Sequence, residues 1–338
     1  MSWLDVPLAW LDAWQDAMFD QFIAPVLFHL GLGNRLELAY DAMDLFRLGL
    51  VQVLIIALVF VPLERLRPAE KQHWNAEIRV DIIYTLIHRL GLFSVVFFFT
   101  LESAVQGALN ALRIAGVPTW SIDQVWLGVT DVPWVSFLIY LVVLDAVDYF
   151  YHRAQHQFAP LWALHALHHS QRQLNAWSDN RNHLLDDILR AMVLSFVALL
   201  IGVEPSQFLV WVALTQLLES LQHANLRLSW GWLGERLLVS PRFHRLHHAI
   251  GIGHEFEDAE MGGHNFGVLF PWWDLLFRTA RIEDSFPPTG IRDQVEAGRN
   301  YGIGFCQQQW LGLVRLADSF KGRELMVFRR ARGPMQPD

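Results

Sequence analysis

Residues 145–169 read DAVDYFYHRAQHQFAPLWALHALHH. The stretch holds His152, His156, His165, His168 and His169, and the spacing of its last three recurs in HRLHH, as His244, His247 and His248. On a helix, residues three and four apart share a face, with Cβ atoms about 5–6 Å apart. The HxxxH pair therefore points both rings one way, and each HxxHH group projects three rings into one region. Neutral imidazole ligates transition metals, whereas Mg and Ca prefer oxygen. A single tetrahedral Zn takes about four ligands, so eight histidines at ligand spacing imply two metals.

The composition around this stretch is that of a membrane protein. Of 338 residues, 53% are hydrophobic and only 18% charged, below the roughly 25% of ordinary soluble domains. The lone Cys306 excludes an intrachain disulfide and a cysteine metal cluster. A net charge of -8 gives no sign of a nucleic-acid surface. Fifteen histidines are the outlier, and those outside the boxes include His29, His73 and His88, which read as ordinary core residues.

Taken in order, residues 1–22 show no signal peptide. Asp5, Asp12, Asp16 and Asp20 oppose Leu4, Leu8, Leu11, Met18 and Phe22, which predicts an amphipathic helix lying at the interface or packed on a bundle. Leu48–Leu63, Ile82–Leu101 and Pro133–Tyr151 read as three spans. His88 and Arg89 lie near one end of the second and are expected to reach the interface. Leu189–Val203 and Ser206–Leu221, joined at Glu204-Pro205, predict a tight hairpin that need not cross fully. Arg65, Arg67, Lys71 and Arg79 follow the first span, and Arg153, Arg172, Arg181 and Arg190 follow the third. By the positive-inside rule both stretches face the cytoplasm. A hairpin returns the chain to the side it left, so all three boxes can meet there. The expected fold is all-α: a multi-pass transmembrane helix bundle with a cytoplasmic helical cap carrying the metal site. Its parts are residues 1–132 with the interfacial helix and two spans, 133–280 with the boxes, and 281–338 as a peripheral tail containing Pro287-Pro288 and the basic Arg329, Arg330 and Arg332.

Over about residues 134–280 the motifs DYFYHRAQH, HALHHSQRQLN, HRLHH and HNFGVLFPWWDLLF occur in this order. In spelling and spacing they resemble the fatty acid hydroxylase/sterol desaturase superfamily of membrane non-haem di-iron oxidases. The resemblance implies two Fe ions, O2 as co-substrate, and His152, His156, His165, His168, His169, His244, His247 and His248 as ligands. It also implies one or two ligands between the second and third boxes, where His183 and His223 are the candidates. The implied substrate is a lipid or sterol-like molecule drawn from the bilayer and either hydroxylated or desaturated. No haem, flavin or ferredoxin motif is visible, so an external electron-donor protein is expected. His264, in GGHNFG, reads as a turn residue or a ligand, and His254, in a Gly-rich loop, as solvent-exposed. Where the family often has Gly, this chain has Arg278.

A ligating imidazole usually gives its other N–H to a carboxylate or carbonyl. Asp148 lies four residues before His152 and Asp145 one turn earlier, so at least one is expected to orient a ligand. The competing reading is a salt bridge to Arg153 or Arg181. Asp186 and Asp187 are placed to support His183, and Asn175 and Arg181 match family positions. The aromatic residues Trp162, Trp177, Trp211, Trp230 and Trp232 suit a lipid channel or ordinary interfacial anchoring. A membrane zinc hydrolase fits less well, because HExxH is absent and no Glu sits inside a box to act as base. A non-enzymatic metal carrier predicts ligands spread through the spans, not crowded beyond them.

Overall fold

A computed structural model describes residues 5–92, 107–116, 120–254 and 261–321. Among these there is no β-strand, only the isolated bridges Pro68–Leu226 and Ala249–Thr289. The regular structure of the described residues is all-helical.

Helix α1 is Asp5–Met18 and α2 is Leu36–Ile55, which runs on through a π-turn, Ile56–Phe60, into Val61–Leu66. Asp12 pairs with Arg47, Asp16 accepts from the Tyr40 hydroxyl, and Gln15 donates to Asp44. The polar side of α1 is thus fastened to the start of α2. Residues Ala39–Leu66 form a 28-residue apolar helix long enough to cross a bilayer, and only 22% of its most apolar window is buried by the protein. Apolar surface left uncovered on that scale is stable against lipid and costly against water.

Helix α3, Ala76–Arg89, is capped by Asn75, whose side chain accepts from Ile78 N. It ends at Arg89, and the chain turns at Gly91 (φ +79°). The span expected over 82–101 is therefore not one unbroken helix; its residues from 93 onward lie outside the described set, as do Leu4, Arg329, Arg330 and Arg332. Arg89 does not reach an interface either. It is 2% exposed and donates to Asp179, Ser220, Gln52 and the Gln216 carbonyl. Burial of a guanidinium demands partners on this scale. Gly49 permits the crossing, since a Cβ there would sit 1.5 Å from the Arg89 carbonyl oxygen.

Helix α4, Pro133–Gln157, is the second helix among the described residues long and apolar enough to cross a membrane. It continues past the expected end at Tyr151, so the span and the HxxxH box are one rigid rod. Proline fits its first turn because the N–H there has no helical partner. Phe158 is extended, and α5, Ala159–His169, starts at once with Pro160 near its N-terminus. Helix α6, Leu184–Leu200, is followed by α7, Pro205–His223, the chain turning at Gly202 (φ +73°). Residues of both line one cavity, so they are not the tightly packed pair that the sequence predicts. Tyr140, Leu141 and Leu144 of α4 pack with Leu194 and Ala198 of α6, Trp211 of α7 and Leu269. Helix α8, Pro241–His247, is capped by Ser240. Helix α9, Phe305–Ser319, packs on α5, with Arg315 Nε donating to the Ala163 carbonyl and Gln309 holding Leu184 N, the Asn182 carbonyl and Tyr84. The described part of the C-terminal segment therefore braces the helix that carries HALHH.

Candidate metal centre

Four helices deliver nine histidines to one place. His152 and His156 come from the last turns of α4, and His165, His168 and His169 from the end of α5. His223 is the last residue of α7, and His244, His247 and His248 come from α8 and its cap. All nine are no more than 8% exposed.

They form two groups, and the boxes do not map onto them one to one. Ring nitrogens of His152, His156, His165, His169 and His247 lie within 4.8 Å of one another, as do those of His168, His223, His244 and His248. Each HxxHH box is split. Around a helix, positions i and i+4 are about 40° apart, while i+3 lies about 60° to the other side of i. In HALHH the i and i+4 rings, His165 and His169, go to the five-histidine group and His168 to the other. In HRLHH the direction reverses: His244 and His248 join the four-histidine group and His247 the five.

The Nε2 atoms of the four-histidine group crowd together: His168 to His223 is 3.1 Å, His223 to His244 3.0 Å, and His244 to His248 3.2 Å. Ligands about 2.1 Å from a shared centre and at right angles are about 3.0 Å apart, so this spacing is that of a coordination shell. In the five-histidine group His152 Nε2, His165 Nε2, His247 Nε2 and both ring nitrogens of His156 and His169 are buried without a hydrogen-bond partner among the described residues. Buried polar atoms left this way are costly unless something ligates them. Burial holds His168, His169, His244, His247 and His248 well below the ordinary imidazole pKa, so they are neutral and able to bind metal. The donor set is all nitrogen, which suits iron and its neighbours over Mg or Ca.

The rings are held from behind. His152 Nδ1 donates to the Phe266 carbonyl (2.9 Å), His247 Nδ1 to the His264 carbonyl (2.8 Å) and His223 Nδ1 to the Glu219 carbonyl (2.8 Å). His165 Nδ1 donates to Asp186 (3.2 Å), which also receives Gln155 and the Tyr151 hydroxyl. Each bond fixes a tautomer that leaves Nε2 free for a metal. His264 thus acts here through its backbone.

Several expected roles fall elsewhere. The structure does not bring His183 to either group: its Nδ1 accepts from Leu185 N, capping α6, and its Nε2 bonds the Gln309 carbonyl, so both nitrogens are used. Neither Asp145 nor Asp148 hydrogen-bonds a histidine of the groups. Asp145 accepts from Leu269 N, Phe270 N and Trp273 Nε1, pinning the loop whose Phe266 carbonyl orients His152. Asp148 pairs with Arg190, not with Arg153 or Arg181. Asp186 supports His165 instead of His183, while Asp187 pairs with His88. His254 is 1% exposed, not open to solvent, and stacks on Trp162 beside His169. Gly253 makes that approach possible, as a Cβ there would lie 1.5 Å from the His247 carbonyl oxygen. Asn175 and Arg181 both bind Asp81 of α3, tying the loop after α5 to that helix. Arg278 sits at φ +58°, the left-handed region that glycine occupies without penalty.

A cavity of about 640 Å³ opens beside the groups and touches His152, His165, His168, His223 and His244.

Residues 137–279 match a family described as fatty acid hydroxylase. An ornithine lipid hydroxylase of Rhizobium tropici is 26% identical over 93% of this chain and 88% of its own length. An alkylglycerol monooxygenase of Danio rerio is 27% identical over 64% of this chain and 47% of its own length. A Delta(7)-sterol 5(6)-desaturase of Aspergillus fumigatus is 25% identical over 59% of this chain and 68% of its own. The chain thus spans less than half of that monooxygenase but most of the ornithine lipid hydroxylase. No solved structure matches it.

Proposed function

We propose, for a chain that belongs to the fatty acid hydroxylase/sterol desaturase superfamily, that it is an O2-dependent membrane oxidoreductase that hydroxylates or desaturates a lipid or sterol-like substrate. The observation that carries this is the pair of buried histidine groups opening onto one cavity. Two Fe ions are the proposed cofactor, one held by His152, His156, His165, His169 and His247, the other by His168, His223, His244 and His248. When bound, such a pair supplies the redox chemistry that reduces O2 and takes hydrogen from an unactivated C–H bond. The chain's part is binding, orientation and exclusion of water. Phe266 and His264 carbonyls and Asp186 aim the rings of the first group; Trp162 and Phe266 close its back.

Residues 133–280 are the proposed catalytic region. The apolar helices Ala39–Leu66 and Pro133–Gln157 support a bundle embedded in the membrane by several crossings. Loop charge supports a cytoplasmic metal end, where an external electron-donor protein delivers reducing equivalents.

The test is the chain purified from an iron-sufficient host, with metal analysis, and lipid extracts compared with and without its expression. About two irons per chain, with lipid species gaining one oxygen or losing two hydrogens, is the expected result. Full occupancy by zinc with an unchanged lipid profile overturns the proposal.

A further inference from the structure

The cavity follows α7 from Pro205 to His223, about 27 Å at the helical rise. Leu194, Phe208, Leu209 and Val212 make part of its wall apolar. The last turn before the histidines is charged. Asp148 stands four residues before His152 on α4, and Glu219 four before His223 on α7. Arg190 of α6 joins them: Nε donates to Asp148 Oδ1 (2.8 Å), and Nη2 donates to Asp148 Oδ2 (2.5 Å) and Glu219 Oε1 (2.7 Å). This ion triad roofs both groups, one helical turn from a member of each.

A guanidinium has five N–H donors. Nε–H and both Nη2 hydrogens are taken, and among the described residues Nη1 has no partner. Arg190 lines the cavity with its side chain 29% exposed. A saturated chain end pressed against it leaves those donors unpaired, which is costly away from water. A free carboxylate meets two carboxylates sharing one cation, and like charges at that range repel. An uncharged oxygen acceptor satisfies the donors without adding charge.

Resting on the lipid-oxidase reading above, we propose that Arg190 is a specificity-determining residue whose Nη1 holds an uncharged oxygen acceptor of the substrate. An ester or amide carbonyl, an ether or a hydroxyl oxygen all qualify. The apolar chain then runs back along α7, and the carbon oxidised lies within a few bonds of that oxygen. The substrate is accordingly a neutral-headed or esterified lipid, not a free fatty acid entering tail first.

The test uses the full chain in detergent, without reductant, and native mass spectrometry of two probes, N-methyldodecanamide and dodecanoate. Wild type should bind the amide at least about tenfold more tightly, the worth of one charge-assisted hydrogen bond. Arg190→Lys keeps the charges of the triad but lacks the fork, and should erase the preference while metal content is unchanged. Should that variant fail to fold, Arg190→Met combined with Asp148→Asn and Glu219→Gln removes all three charges together and should also erase it. Equal binding of both probes by wild type, or variants that weaken both probes in parallel, overturns the assignment. Because no turnover is read, an amide preference in a chain that oxidises no lipid would sink the oxidase reading and leave Arg190 standing.

Discussion

The two histidine groups are built from the same boxes yet supported in different ways. The five-histidine group leans on groups distant in sequence: the carbonyls of His264 and Phe266 and the carboxylate of Asp186. Among the described residues the four-histidine group has one bond from behind, and it is local: His223 to the Glu219 carbonyl one turn back on its own helix. The first is therefore preorganised by tertiary structure and the second mainly by helix packing. Orientation of ligands from behind tunes affinity by about 10- to 100-fold, so the two sites should respond unequally to the same kind of damage.

The largest expected effect comes from removing a ligand. His247→Ala and His168→Ala should each abolish lipid oxidation while the protein still inserts into membranes. Metal analysis distinguishes them: each should lose the metal of its own group first. Retained turnover in either variant removes that residue from the ligand set. Next comes Asp186→Asn, which keeps the size but weakens the acceptor behind His165. Metal affinity of the five-histidine group should fall about 10- to 100-fold, with the other group unaffected in a chelator titration. Equal loss from both groups breaks the comparison. No matching substitution exists for His223, whose partner is backbone.

Asp145→Asn acts one step farther out. Its carboxylate holds Leu269 N, Phe270 N and Trp273 Nε1, and hydrogen bonds to a charged group contribute about 1.5–3 kcal/mol. The asparagine should lower stability on that scale and loosen the loop that orients His152. In denaturation of the loaded protein, the five-histidine group should release metal at lower denaturant than in wild type.

Spacing singles out the eight box histidines as candidate ligands, because helical periodicity fixes which residues share a face before any tertiary contact forms, and the structure gathers their rings into two groups. Which histidine joins which group was not legible, since it depends on how α5 and α8 face each other. The carbonyls of His264 and Phe266 carry no side-chain signature. Closeness in sequence pairs Asp186 with His183, whereas in the fold Asp186 accepts from His165, 21 residues away. A signal for His183 was present: Leu184-Leu185-Asp186-Asp187 places acids in a first helical turn, which marks the residue before it as a cap. The span expected through residue 101 missed Gly91, whose turn ends the helix that hydropathy alone extends. His254 looked exposed because glycine-rich loops usually are, yet Gly253 is what lets that loop close onto His247.

Arg278 offers the finest test of how far the five-histidine group depends on its loop. It holds φ +58° without a glycine, a conformation that costs a side-chain-bearing residue about 1 kcal/mol. Its neighbours do the holding. Thr279 O accepts from Asn265 N, Arg281 N donates to the Asn265 side chain, and Asp274 gathers Phe266 N, Gly267 N and the Thr279 hydroxyl. The strain sits at the base of the loop that presents both carbonyls to His152 and His247. Arg278→Gly should relieve it and raise thermal stability by roughly 1 kcal/mol, less what glycine gains in unfolded-chain entropy. Metal retention in the five-histidine group should improve slightly and that of the four-histidine group should not move. A destabilised Gly variant would show instead that the Arg278 side chain holds the loop through its own contacts.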